Sequence, residues 1–170
     1  MTPDNRSRGY PRAVATLHFI YGRPGAGKTS LARELGVSVP ALVFIEDEWL
    51  ATLAAPITSV ADLRAAMQRV RTIIGPLAEQ ALRLGTSVVF DFAGNTVSHR
   101  AWARGIFERA GADHVLHVLE VDEAECRRRV HARNVEKPAG LYFGDVSDAL
   151  FDAVLSHIVP PTSDEGFNVR

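Results

Sequence analysis

Gly22-Arg23-Pro24-Gly25-Ala26-Gly27-Lys28-Thr29 is the stretch that decides how this chain is read. It fits G-x-x-x-x-G-K-[ST] at every fixed position. The run before it, residues 13–21 (AVATLHFIY), is apolar and rich in β-formers, which predicts a buried central strand. Residues 28–35 read as a short helix that Gly36 stops. In that strand–turn–helix context, Gly22, Pro24, Gly25, Ala26 and Gly27 bend the backbone so that its N–H groups surround phosphates. The helix start, with Ser30 in its first turn, adds a positive end. Lys28 is expected on the β- and γ-phosphates, and the Thr29 hydroxyl on magnesium. The stretch therefore predicts a site for ATP and Mg2+.

Downstream, apolar runs alternate with helical periodicity. Residues 41–45 read as a second strand, and the acidic cluster Glu46-Asp47-Glu48 follows it. Over 59–84, Val60, Leu63, Met67, Val70, Ile74 and Leu77 recur every three or four residues, the pattern of a helix. Pro76 is expected to kink or split it. Residues 86–92 (TSVVFDF) read as a strand, and 98–110 as a helix with Ser98 as its N-cap and Gly111 as its stop. Residues 114–121 read as another strand. Asp122 then caps a helix to about residue 132. Residues 134–146 hold Pro138, Gly140 and Gly144 without a period, so they read as a loop suited to a mobile lid. A final helix is expected over 147–158, then an irregular tail from 159 to 170. Strands alternating with helices favour an α/β fold: a parallel sheet with right-handed crossovers and helices on both faces.

In an open parallel sheet, ligands bind at the carboxyl ends of the strands. Asp47 and Asp91 both follow a strand, so both are candidates for the phosphate cleft. Asp47 is the choice for the base that activates an acceptor hydroxyl. Asp91, after an apolar run, is expected to hold magnesium through water or to orient the acceptor. Either acid could instead serve a helix N-terminus or a strand end. Arg127, Arg128, Arg129 and Arg133 cluster where a helix runs into the lid. Arg129 and Arg133 are spaced i, i+4 on one face, able to clamp phosphates and offset charge during transfer. Arg100 begins the helix after Asp91 and could reach an acceptor.

The composition fits one globular domain over residues 1–170. Of the chain, 46% is hydrophobic and 23% charged, with a formal net charge of -1. A near-neutral balance argues against a general nucleic-acid coat, although local basic patches stay open. No apolar run reaches the roughly 20 residues that span a bilayer. One cysteine, Cys126, allows no internal disulfide, and with a polar leader over 1–12 the expectation is a cytoplasmic protein. The histidines show no metal-ligand spacing. Cys126, Trp49, Trp102 and His18 read as packing residues.

The segments G-R-P-G-A-G-K-T, E-D-E-W, V-V-F-D-F-A-G-N-T and R-R-V-H-A-R together resemble the P-loop small kinases. That group includes polynucleotide 5′-kinase, zeta toxins and chloramphenicol phosphotransferase, and the resemblance extends to the predicted bacterial AAA-family ATP-binding kinases. It spans nearly the whole chain in order, and its most specific part is the phosphate loop. The resemblance implies a P-loop NTPase fold of three α/β/α layers, with about five parallel strands and a short lid. It implies Asp47 as the base and Arg129 and Arg133 as lid arginines. It also implies Asp91 with Asn95 as the acid and downstream polar residue, and Arg100 as an arginine of the next helix. Polynucleotide kinases carry an arginine three residues after the base, where this chain has Leu50, which weakens a polynucleotide 5′-hydroxyl as acceptor. The tail 164–169 (DEGFNV) resembles a motif of the predicted kinases and carries no evident role.

The expected activity is transfer of the γ-phosphate of ATP to a hydroxyl of a small molecule or nucleotide-type acceptor, the acceptor and oligomeric state being left open. The alternative is a nucleotide-dependent switch or NTPase acting through a protein partner.

Overall fold

A computed structural model describes residues 14–53, 60–142 and 144–170. The leader expected over 1–12 lies outside them. Four strands, β1 (Thr16–Gly22), β2 (Ala41–Ile45), β3 (Ser87–Asp91) and β4 (Asp113–Leu119), form one sheet in the order β2-β3-β1-β4. Each pairing is parallel. Six helices connect and cover them: α1 (Lys28–Ser38), α2 (Glu46–Leu53), α3 (Val60–Arg83), α4 (Val97–Ala110), α5 (Glu123–Glu136) and α6 (Asp148–Leu155).

Strand alternation assigns the two faces. Leu17, Phe19, Val88 and Phe90 point into the main core with Val70, Ile74 and Ala78 of α3 and Ala103 and Ile106 of α4. Ile20 and Val89, one residue out of phase, meet Ala32 of α1 on the other side. A smaller cluster joins Ala26 of the loop to Cys126 and Val130 of α5 and Phe151 of α6. This is the expected three-layer α/β/α arrangement.

Several expectations are corrected. Gly36 does not stop α1, which runs on to Ser38. Its role is close approach: a Cβ there would come within 2.3 Å of Val43 Cγ2, so the glycine lets the helix lie on β2. Pro76 does not split α3, which is continuous over Val60–Arg83. The buried stripe Ala66, Val70, Ile74, Ala78 and Leu82 binds both halves to one core, and packing overrides the lost hydrogen bond. Thr96, not Ser98, caps α4, its Oγ1 accepting from the His99 N–H at 3.2 Å. Asp122 caps α5 as expected, accepting from Ala124 and Glu125, but the helix continues to Glu136. That extra turn shortens the loop expected over 134–146.

The tail is not irregular. Residues 163–165 form a 3₁₀ turn, and the chain then runs along the free edge of β4. The Leu116 N–H donates to Asn168 O at 2.8 Å, and the Arg170 N–H donates to Leu116 O at 2.9 Å. Val169 thereby makes a parallel bridge to Leu116. The sheet has four strands among the described residues, and this bridge occupies the place of the expected fifth.

Candidate functional site

The chain segments that leave the carboxyl ends of β1, β2 and β3 meet at one end of the sheet. These are the glycine-rich loop, α2, and residues 92–96. They surround a cavity of about 690 Å³. The loop is held from below by packing. Gly25 has φ 79°, and a Cβ there would come within 2.3 Å of the Cys126 carbonyl oxygen. Only glycine serves at that point.

Lys28 donates from Nζ to the Gly22 and Arg23 carbonyl oxygens, both at 2.9 Å. Burial lowers its pKa, while Asp91 and Asp47 pull it back up. The ammonium is thus stowed against its own glycine-rich loop. Thr29 Oγ1 donates to Asp91 Oδ2 at 2.5 Å. Asp91 is 7% exposed; burial raises its pKa, and the Thr29 hydroxyl and Lys28 oppose that rise. A hydroxyl and a carboxylate side by side are hard oxygen donors of the kind magnesium takes, along with phosphate oxygens and water. Thr29 and Asp91 therefore fit a magnesium ion.

Asp47 is the second residue of α2 and lines the cavity with them. Its Oδ2 accepts from Arg133 Nη1 at 3.4 Å, a long contact between two side chains each about 30% exposed. Burial pushes the Asp47 carboxyl up to about 6; Arg133 and Lys28 hold it down, and Asp91 adds to the rise. A carboxylate poised there is suited to accept a proton near neutral pH. Arg129 also borders the cavity, donating from Nε to Glu125 at 2.6 Å and from Nη1 to the Gly25 carbonyl at 3.4 Å. Arg129 and Arg133, four positions apart on α5, thus both line the cavity, Arg129 at the loop and Arg133 at Asp47. Arg127 and Arg128 face elsewhere: Arg127 joins Glu123, Asp148 and Asp152, and Arg128 joins Glu125. Gly144 and Asp145, in the segment between α5 and α6, complete that rim.

Asn95 is a node. Its Oδ1 accepts from the Gly22 N–H at 3.1 Å, and its carbonyl accepts from the Val159 N–H at 2.8 Å. It fastens the start of the phosphate loop to the segment after β3 while lining the cavity. Ser30 is exposed on α1 and does not line the cavity.

Arg100 is the site residue the structure moves. Expected at an acceptor, it is 0% exposed and outside the cavity lining. Its Nε and Nη2 donate to Glu165 at 2.6 and 2.7 Å, and its Nη1 donates to the Gly94 and Val159 carbonyls, both at 2.8 Å. Every donor direction is taken up by the tail and the segment after β3, so none is left for a ligand. This pairing also gives the DEGFNV tail a structural part.

Sequence reasoning missed a second buried pair. Glu46 (4% exposed) accepts on Oε1 from Arg71 Nε at 3.0 Å, and Arg71 also lies over the Trp102 ring at 5.6 Å. Burial pushes the Glu46 carboxyl up to about 7 although Arg71 pulls it down. Glu46 faces the cavity beside Asp47. The only signal for it was its place in the acidic cluster, and nothing there separated it from Glu48, which pairs with Arg33 in the open. The apolar wall formed by Leu50, Leu63 and Met67 was visible only as helical periodicity.

Among curated proteins none matches the sequence significantly. Several solved structures share the fold. A candidate kinase from Chloroflexus aurantiacus superposes with a TM-score of 0.73 at 16% identity, covering 92% of this chain and 86% of that one. The APS kinase of Mycobacterium tuberculosis, in complex with AMPPNP and APS, gives 0.56 at 22% identity, covering 88% and 85%. A gluconokinase from Sinorhizobium meliloti gives 0.57 at 16% identity, covering 93% and 83%. The model of the AAA domain family matches residues 17–161, most of the chain, including the loop, the cavity elements and all but the first residue of the strands described above. The chain therefore belongs to the AAA domain family and has the fold of the P-loop kinases.

Proposed function

We propose that this protein is an ATP-dependent phosphotransferase that moves the γ-phosphate of magnesium-bound ATP to the hydroxyl of a small acceptor. The observation that carries this reading is the convergence of Asp47 on the phosphate loop, joined to Arg133 across the cavity at 3.4 Å. A carboxylate in that place is what separates a kinase from a plain nucleotide-binding turn, because transfer needs the acceptor oxygen oriented and relieved of its proton.

The residues divide the work. Backbone N–H groups of the loop and the start of α1 bind the phosphates. Lys28 leaves the Gly22 and Arg23 carbonyls to meet the β- and γ-phosphates. Thr29 and Asp91 would hold magnesium, which when bound would supply positive charge to offset that on the phosphate oxygens. Asp47 accepts the acceptor's proton as its oxygen bonds to the γ-phosphorus and the bridging β–γ bond breaks toward ADP. Arg133, loosely bound to Asp47, and Arg129 stabilise the transferred group. The APS kinase and gluconokinase with the same fold agree with the reaction class, and the acceptor is this chain's own question.

Isothermal titration with AMPPNP and magnesium tests the nucleotide half. Saturable binding in the wild type that is weakened at least tenfold in Lys28→Ala supports it; equal affinity in both proteins overturns it.

A further inference from the structure

The cavity is divided by charge. Its described lining contains three cations, Lys28, Arg129 and Arg133. Lys28 belongs to the phosphate loop, Arg129 bonds to it, and Arg133 lies one turn further along α5. Lys28 and Arg129 lie on the side where the triphosphate is expected, and Arg133 reaches from that side toward Asp47. The other side is built by α2, α3 and the segment after β3. It presents Glu46, Asp47, Leu50, Leu63, Met67 and Asn95, with no cation among the described residues that line it. Two cations are bonded to its carboxylates: Arg133 reaches Asp47 from α5 across the cavity, and Arg71 sits behind Glu46. Arg71 is 6% exposed, its Nε is committed to Glu46, and it borders a separate groove with Pro76 and Trp102.

An anionic acceptor would therefore bring its charge beside two carboxylates and an apolar wall. Like charges juxtaposed in a partly dry site disfavour binding, and an apolar wall gives no hydrogen bond in return. A hydrocarbon face, in contrast, gains by covering Leu63 and Met67, both half-buried. We propose that the acceptor is an uncharged alcohol with an apolar face, bound with its reacting hydroxyl at Asp47 and that face on Leu63 and Met67. This rests on the kinase reading of the same cavity and narrows it: acceptors that carry a phosphate or carboxylate near the reacting hydroxyl are selected against.

Protein saturated with AMPPNP and magnesium is titrated with matched probes, phenyl β-glucoside against phenyl β-glucuronide, and thymidine against thymidine 5′-monophosphate. In each pair an anionic group takes the place of one primary hydroxyl, and the secondary hydroxyls are kept. The expected result is binding of the neutral member at least tenfold more tightly in each pair, with the preference narrowed or reversed in Met67→Arg. Should Met67→Arg fail to fold, Leu63→Arg makes the same test at another half-buried position. Equal or tighter binding of the anionic members overturns the proposal, as does an absence of binding by both neutral alcohols to the loaded protein. Failure of the kinase reading is seen separately: the protein would not load with AMPPNP, and both proposals would fall.

Discussion

Two arginines in this molecule each pair with a carboxylate, and they are opposites. Arg100 is fully enclosed, grips Glu165 with two donors at 2.6 and 2.7 Å, and gives Nη1 to two carbonyls. Arg133 is partly open and touches Asp47 through one donor at 3.4 Å. The first pair ties the tail to the segment after β3. It is complete as it stands, and opening it would strand a buried charge. The second is half-made, so in the proposed reaction each partner would be free to exchange its bond for one to a phosphate or a hydroxyl. A satisfied ion pair builds a fold, while a loose one facing a cavity is available for chemistry.

Four substitutions probe that contrast. Asp47→Asn carries the largest expected effect: a loss of about 10²–10⁴ in kcat, the usual contribution of a positioned base. Single-turnover transfer rates check it, with AMPPNP affinity retained. Arg100→Ala is expected to cost about 3–5 kcal/mol of stability by leaving Glu165 and the carbonyls unpaired, read as the urea midpoint of unfolding; a change under about 1 kcal/mol would show the clasp to be surface-like. Arg133→Ala acts on both rate and pH. The wild-type kcat/KM should fall as pH drops through about 6, where Asp47 takes up its proton. Because the Arg133 cation favours the ionised carboxylate, removing it raises the Asp47 pKa, and the acid limb moves to higher pH. An unmoved limb would show that Asp47 is not the titrating group. Arg128→Ala is the control. Its partner Glu125 is shared with Arg129 on an exposed helix face, and neither stability nor rate should change measurably.

How far the sequence carried the reading follows from the reach of each interaction. The phosphate loop was legible because eight contiguous residues specify a backbone turn, and the strand and helix beside it confirm the context. Asp47 and Asp91 were legible because a parallel sheet sends the chain after every strand to the same end. The Thr29–Asp91 contact spans 62 positions but follows from that one rule. Arg100 was misplaced for want of such a rule: its partner Glu165 lies 65 positions away in a tail with no periodicity. Glu46 was hidden because its importance depends on Arg71, one helix away, being buried with it. Gly36 and Pro76 mark breaks locally, and both were overridden by packing, Gly36 by contact with Val43 and Pro76 by the buried stripe of α3.

The claim that Asp47 is the base of a phosphotransferase is tested most directly by following the γ-phosphate of radiolabelled ATP into a panel of neutral alcohols, with wild type and Asp47→Asn side by side. The account predicts label in an alcohol with the wild type, none above background with Asp47→Asn, and the same AMPPNP affinity for both. Transfer by Asp47→Asn at the wild-type rate would contradict it. So would label released only to water at equal rates by both proteins, the behaviour of a nucleotide-dependent switch.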